Sequence, residues 1–226
     1  MDNYANQNAI YWQDRYNAPN VESFIFRFYG RILRHDYGID GTNGEKILDF
    51  GCGEGGALRY FDSLGFNCYG VDIAKNDLEV ARSVMPSHAN NLKLISPNPK
   101  AGIRYADDDV DIVISIQTLD FLSDSDFSVV INNIYNNMKP GAKIYASMNG
   151  WSMYYRNHAT YAGDGLWHVK YNNGRVDYDV HLNFVKDKDA LRERFSMFKP
   201  VYLDYYDSSF REEGSELRYT FFGIKE

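Results

Sequence analysis

Cysteine is scarce: only Cys52 and Cys68 occur in 226 residues, and they stand in no disulfide-like spacing. That excludes a disulfide-stapled scaffold and leads us to expect a reducing, cytoplasmic setting. No CxxC pair and no His/Cys/Asp/Glu cluster has metal-ligand spacing, so no metal is expected. No apolar run approaches a membrane span, and the opening MDNYANQNAIYWQDRYN lacks the basic and apolar regions of an export signal. Positive charge is also in deficit, with 24 Lys and Arg against 31 Asp and Glu and a net charge of −7. Such a field repels phosphate backbones and anionic bilayers. Nucleic acid and membrane are therefore not expected as partners, and a small-molecule substrate is. No GxSxG nucleophile motif occurs, and the sequence sets no oligomeric state.

What is present is the balance of a globular protein, 44% hydrophobic and 24% charged, in a length suited to one core. We read a single domain with four parts: a helical cap over 1–44, a core over 45–148, an aromatic-rich insertion over 149–184, and a helix with a strand pair over 185–226. A short helix is expected around Tyr11 to Tyr16. Phe24, Ile25, Phe28, Ile32 and Leu33 are spaced for one face of a helix over 21–37.

From Lys46 the pattern becomes strand, turn and helix in alternation. KILDF, FNCYGVD, LKLI, VDIVIS and AKIYASM read as strands. Helices fall between them at 57–64, IAKNDLEVARSVM and SDSDFSVVINNIYNNM, the last stopped by Pro140 and Gly141. Alternation at this spacing predicts a parallel sheet covered on both faces. After Asn149, LWHVKY and RVDYDVHLNF flank Asn172, Asn173 and Gly174, a hairpin signal. DKDALRERF follows as a helix, and PVYLDYY and LRYTFFGIK as two last strands.

The segment richest in chemistry is GCGEGG, which follows a buried strand and opens a helix. Glycines there let the backbone turn tightly and approach a ligand beside the helix's positive end. Gly51, Gly53 and Gly56 also satisfy the dinucleotide fingerprint GxGxxG. Asp49 separates the two readings, because a carboxylate at the strand mouth repels a pyrophosphate and attracts a cation. Asp72 ends the second strand, where a carboxylate can accept ribose hydroxyls from either kind of cofactor.

LDFGCGEGG, GVDIAKNDLEVAR, VDIVIS and MKPGAKIYASM together resemble the class I S-adenosylmethionine-dependent methyltransferases over roughly residues 45–148. The resemblance implies S-adenosyl-L-methionine as cofactor, with Asp49, Gly51, Gly53 and Gly55 beside its methionine part and Asp72 and Ile73 beside ribose and adenine. It implies a Rossmann-like α/β fold: a seven-stranded mixed sheet, mostly parallel with an antiparallel C-terminal strand, and helices on both faces. One departure stands out: LISPNPKAG lacks the acid that the family commonly carries after the third strand, and Asn98 is the polar substitute.

Methyl transfer from a sulfonium is an in-line displacement that asks mainly for alignment and exclusion of water. The resemblance puts Ser115, Ile116 and Gln117 beside the sulfonium, with Ser115 toward the cofactor and Gln117 the catalytic candidate. Gln117 is equally consistent with capping a helix. Among His158, His168 and His181, imidazoles able to take a proton near neutrality, His181 is the second catalytic candidate because it ends a hairpin strand. Tyr11, Tyr16, Trp151, Tyr154 and Tyr155 are candidates to cover the acceptor, their faces suiting a cationic nitrogen or a sugar. Arg27 and Arg31 are candidates to hold an anionic group, or else belong to a solvated helix face. The expected reaction is transfer to N or O of a small polar metabolite, such as an amino-alcohol phosphate or a surface-polysaccharide precursor. An NAD-dependent oxidoreductase and a non-catalytic S-adenosylmethionine-binding protein are the alternatives.

Overall fold

The computed structural model describes Tyr4, Gln7, Asn8 and residues 21–174, 177–209 and 214–226. The helix expected around Tyr11 to Tyr16 lies outside the described residues. Seven strands form one sheet: β1 (Lys46–Phe50), β2 (Asn67–Asp72), β3 (Leu92–Leu94), β4 (Val110–Ser115), β5 (Met138–Asn149), β9 (Lys199–Asp207) and β10 (Leu217–Ile224). Their order is β3-β2-β1-β4-β5-β10-β9. Every neighbouring pair from β3 to β5 is parallel, whereas β10 runs antiparallel to both β5 and β9. This is the mixed sheet that the sequence implied.

Period-two side-chain alternation places apolar groups on both faces. Leu48, Val113 and Phe221 enter one apolar cluster, while their neighbours Ile47, Ile112, Ile114 and Phe222 enter a second. Both faces are therefore dry, which explains why these strands read as continuous apolar runs. Helices cover each side. The first cluster is completed by α4 (Asp124–Asn136) and α5 (Lys188–Arg194). The second is completed by α1 (Ser23–Arg27), which runs on as a π-helix over Phe28–Asp36, and by α2 (Gly56–Asp62) and α3 (Lys75–Val84).

Helix α4 shows how sequence sets an element. Phe127, Val130, Ile131 and Ile134 recur at helical spacing and are all buried. Each such side chain contributes about 1.5–3 kcal/mol. The Ser123 hydroxyl caps the helix by accepting from the Asp126 amide at 3.2 Å, and Asp124 and Asp126 in the first turn suit the dipole.

Two local expectations change. Pro140 and Gly141 do not lie ahead of the fifth strand but inside β5. The strand begins at Met138 opposite Val110, slips register, and resumes at Lys143 opposite Ile112, so the proline occupies the irregular stretch where no ladder bond is asked of it. A strand that sequence periodicity did not show, β6 (Ala159–Gly163), joins β7 (Leu166–Asn172) and β8 (Asp177–Asn183) in a separate antiparallel sheet. Its ATYAG carries little apolar pattern because β7, not a core of its own, holds it in place. Met153, Tyr154, Tyr155, Val169, Val180 and Leu182 pack a third apolar cluster against this small sheet. No helix among the described residues is long and apolar enough to cross a membrane.

Candidate active site

The chain leaves β1 toward β2 and β3 on one side and returns to β4 on the other, so a crevice opens beyond the carboxyl ends of β1 and β4. Ligands of such sheets bind at this switch point. A cavity of about 340 Å³ lies there.

The loop from Gly51 to Gly55 forms its floor. Gly51 and Cys52 amides both donate to the Val71 carbonyl, at 2.8 and 3.1 Å, tying the loop to β2. Gly51 has φ +85°, and a Cβ there would stand 2.1 Å from Thr118 Oγ1. Only glycine allows this approach between the loop and the segment after β4. Gly55, at φ +79°, is the N-cap of α2 and lies outside the cavity wall because it turns the chain into that helix.

Asp72 organises the loop from the other side. Its Oδ2 accepts from the Gly53 amide and its Oδ1 from the Ala74 amide, both at 2.8 Å. Burial pushes the Asp72 carboxyl upward, and those two amides partly oppose it. Asp49 is 5% exposed and borders the cavity. Burial, helped by the nearby Asp72 charge, pushes its carboxyl up to about 8. Asp77 is pushed up to about 6 by burial and by Asp72 and Glu54, and burial also raises Glu54. Carboxyls in this state require either protons or a cationic ligand.

Among the described residues the wall carries five acids, Glu22, Asp49, Glu54, Asp72 and Asp77, and no Lys, Arg or His. Of the residues expected from sequence, it brings together Asp49, Gly51, Gly53, Asp72, Ile73 and Gln117. Gln117 caps no helix. It takes a left-handed φ of +53°, with its amide donating to Ser147 Oγ at 2.9 Å.

Other expected residues lie elsewhere. Ser115 is fully buried and donates to the Phe50 carbonyl at 2.9 Å, so its hydroxyl ties β4 to the end of β1 and is not part of the wall. Asn98 is exposed; its neighbours Ser96, Pro97 and Pro99 border the cavity in its place. His181 is also absent from the wall. Its ring stacks on His168 at 4.7 Å, burial lowers its pKa, and Nδ1 has no partner. Its backbone amide donates to the side chain of Asn8, which does border the cavity.

Arg27 and Arg31 line a different groove, of about 850 Å³, with Tyr202 and Tyr205. Their helix turns Ile25 to the cavity and these two cations away from it. Tyr154 and Tyr155 are 5% exposed and form the insertion's own core. The Tyr155 hydroxyl donates to Glu216 at 2.9 Å and meets Tyr178 at 3.0 Å. Trp151 lies under the Arg156 guanidinium at 3.8 Å, with Trp167 edge-on at 5.6 Å. None of these three borders the cavity. Tyr11 and Tyr16 fall outside the described residues.

Sequence reasoning missed Glu22, Glu54, Asp77, Tyr4, Asn8 and Thr118 in the wall. Glu54 stands inside GCGEGG and Asp77 one turn into the helix after Asp72, so proximity to the motif could have found both. Among the described residues no group of His, Cys, Asp and Glu could hold a metal.

A sheet with one reversed strand near its far edge, a glycine loop after β1 and an acid-walled crevice define a class I S-adenosylmethionine-dependent methyltransferase core. Residues 48–146 match the family model described as a methyltransferase domain. Its cofactor is S-adenosylmethionine. The chain is similar to phosphoethanolamine N-methyltransferase 2 of Caenorhabditis elegans, 27% identical over 108 residues, covering 47% of this chain and 24% of that protein. It is also similar to a ubiquinone biosynthesis O-methyltransferase of Aliivibrio fischeri, 26% identical over 118 residues, covering 51% of this chain and 50% of the relative. The chain thus spans half or less of the length of these curated relatives. A solved S-adenosylmethionine-dependent methyltransferase from Methanosarcina mazei shares the fold, with TM-score 0.67 and 16% identity over 91% of this chain and 98% of that one.

Proposed function

We propose that this chain moves the methyl group of S-adenosylmethionine to N or O of a small polar metabolite. The observation that carries this reading is the wall of five carboxylates with no cation among the described residues. S-adenosylmethionine brings an ammonium and a sulfonium, whereas the pyrophosphate of a nicotinamide dinucleotide would find acidic groups and no cation among the described wall residues. Asp49 faces the methionine ammonium, Gly51 and Gly53 carry the loop beneath it, and Asp72 with Ile73 receives the ribose and adenine. Gln117 stands at the acceptor side, where it positions the incoming nucleophile.

The two curated relatives methylate N in one case and O in the other by their names, which agrees with a small acceptor of either kind. The acidic balance agrees with an acceptor that is not nucleic acid. Cys52 and Cys68 are both free and buried, which suits a reducing, cytoplasmic setting. Titration calorimetry with S-adenosylhomocysteine and with NADH tests the reading. Binding of the first without the second is expected; binding of NADH alone would overturn it.

A further inference from the structure

Past Asp72 the crevice runs to the loop between β3 and β4, which lines it with Ile95, Ser96, Pro97, Pro99, Ile103 and Tyr105. The whole of this loop is among the described residues.

Its backbone donors are largely absent or spent. Pro97 and Pro99 have no N–H. The Ile95 amide donates to the Asp72 carbonyl at 2.9 Å, and the Asn98 amide to Ser96 Oγ at 3.2 Å. Further along, the Gly102 amide donates to Asn133 Oδ1 at 2.8 Å, while those of Tyr105 and Ala106 share Asn137 Oδ1, at 2.7 and 2.8 Å. Asn133, on α4, and Asn137, at its C-cap, are both buried. They draw the loop's polar backbone toward the helix.

The acids that follow are committed outside the cavity. Asp107, Asp108 and Asp109 pair with Lys93, Lys46 and Arg104 at 2.6, 2.8 and 2.6 Å, and none of the three borders it. What the loop gives the cavity is mainly carbon: two aliphatic side chains, two proline rings and Tyr105, whose hydroxyl accepts from Asn133 at 3.4 Å. Ile73, next to Asp72, continues this apolar lining. The exception is Ser96, which is exposed, as is Asn98.

A purine lying here meets apolar surface on its faces, and its far edge reaches the Ser96 hydroxyl and water. Both of these donate as readily as they accept. A site built to hydrogen-bond one group of a ligand rejects the analogue that lacks it, whereas an apolar slot with a wet edge discriminates little.

Resting on the reading that Asp72 receives the ribose, we infer that Pro97 and Pro99 leave the 6-position of the purine unread. A cofactor carrying the 6-oxo group of inosine then binds as well as one carrying the 6-amino group of adenosine.

Calorimetry with S-adenosylhomocysteine and S-inosylhomocysteine tests this. Failure of both to bind removes the cofactor reading on which the inference rests. Dissociation constants within fivefold of each other are expected. A larger difference in either direction overturns the inference, and a weaker inosyl compound would mean that a carbonyl of the loop reads the amino group. Pro97→Asp places an acceptor at this rim, attracting a 6-amino and repelling a 6-oxo group, so the ratio should move at least tenfold toward S-adenosylhomocysteine. Pro97→Asn matches that variant in shape, but its amide donates as well as accepts, and the ratio should stay within fivefold of one. An unchanged ratio in Pro97→Asp, at a Tm matching Pro97→Asn, would remove Pro97 from the base end and overturn its assignment. The comparison in the unaltered protein stands whether or not either variant folds.

Discussion

The two halves of the cavity are built differently. The acids and glycines of its β2 side come from residues 49–77, a single run in which strand, loop and helix follow one another, with further lining from residues 95–105. Its β4 side is assembled from Tyr4, Asn8, Glu22 and the 116–122 segment, which meet only in the folded chain. The first half is fixed within that run by a carboxylate, Asp72, that holds the Gly53 and Ala74 amides. The second is fixed by long-range bonds such as Glu22 to Gln117 and Asn8 to the His181 strand. A motif can therefore tell what the cofactor is, while the acceptor has to be read from the assembled fold.

The sharpest way to break the comparison is Asp49→Ala against His181→Ala. Losing the buried partner of a cation costs about 2–5 kcal/mol. Cofactor affinity by calorimetry should fall at least 100-fold in Asp49→Ala and stay unchanged in His181→Ala, which meets the β4 side only through its backbone bond to Asn8. Equal losses of cofactor affinity would erase the division between the halves.

Gly51→Ala should come next in size. The added methyl lies 2.1 Å from Thr118 Oγ1 and 2.6 Å from its Cβ, so rotating the threonine does not clear it. The left-handed φ adds about 1–2 kcal/mol. We expect cofactor affinity at least tenfold weaker and a lower Tm; a variant matching the parent in both would show that the two loops are not in contact.

A smaller effect is expected from pH. Burial pushes the Asp49 carboxyl up to about 8 in the folded state, well above the usual carboxylate range. The folded state thus holds the extra proton between these values, so this group's stabilisation is full below the lower one and lost as pH rises through the upper one. Asp77 and Asp120, both near 6, add the same sign at lower pH. From pH 6 to 8 the Tm of the free protein should fall by roughly 5 °C, and Asp49→Asn should flatten that slope. A Tm that climbs over this range, or the same slope in Asp49→Asn, would contradict the buried carboxyl.

Tyr155→Phe should do least to the site. It removes hydroxyl bonds to Glu216 and Tyr178, worth about 1–2 kcal/mol, and so lowers Tm by a few degrees while leaving cofactor affinity within twofold. A large loss of affinity would mean that the insertion reaches the cofactor after all.

Much of the sheet was legible because dry strands and amphipathic helices leave periodic marks, and Asp49, Gly51, Gly53 and Asp72 were legible because their spacing follows from one loop. Tyr154 and Tyr155 were not. An aromatic residue looks the same in sequence whether it packs a small core or faces a ligand, and these two pack. Arg27 and Arg31 failed for a related reason: a helix has two sides, and spacing does not say which one meets the cavity. Glu22 left no trace because its partner is 95 residues away.

The wall of carboxylates has a consequence for the end of the catalytic cycle. On the proposed chemistry the donor enters with one net positive charge and leaves as a thioether with none, so the same acids that favour the fresh cofactor hold the spent one less firmly. Charge loss at sulfur then works as an exit signal, and the enzyme should clear its own by-product without a separate device for expelling it.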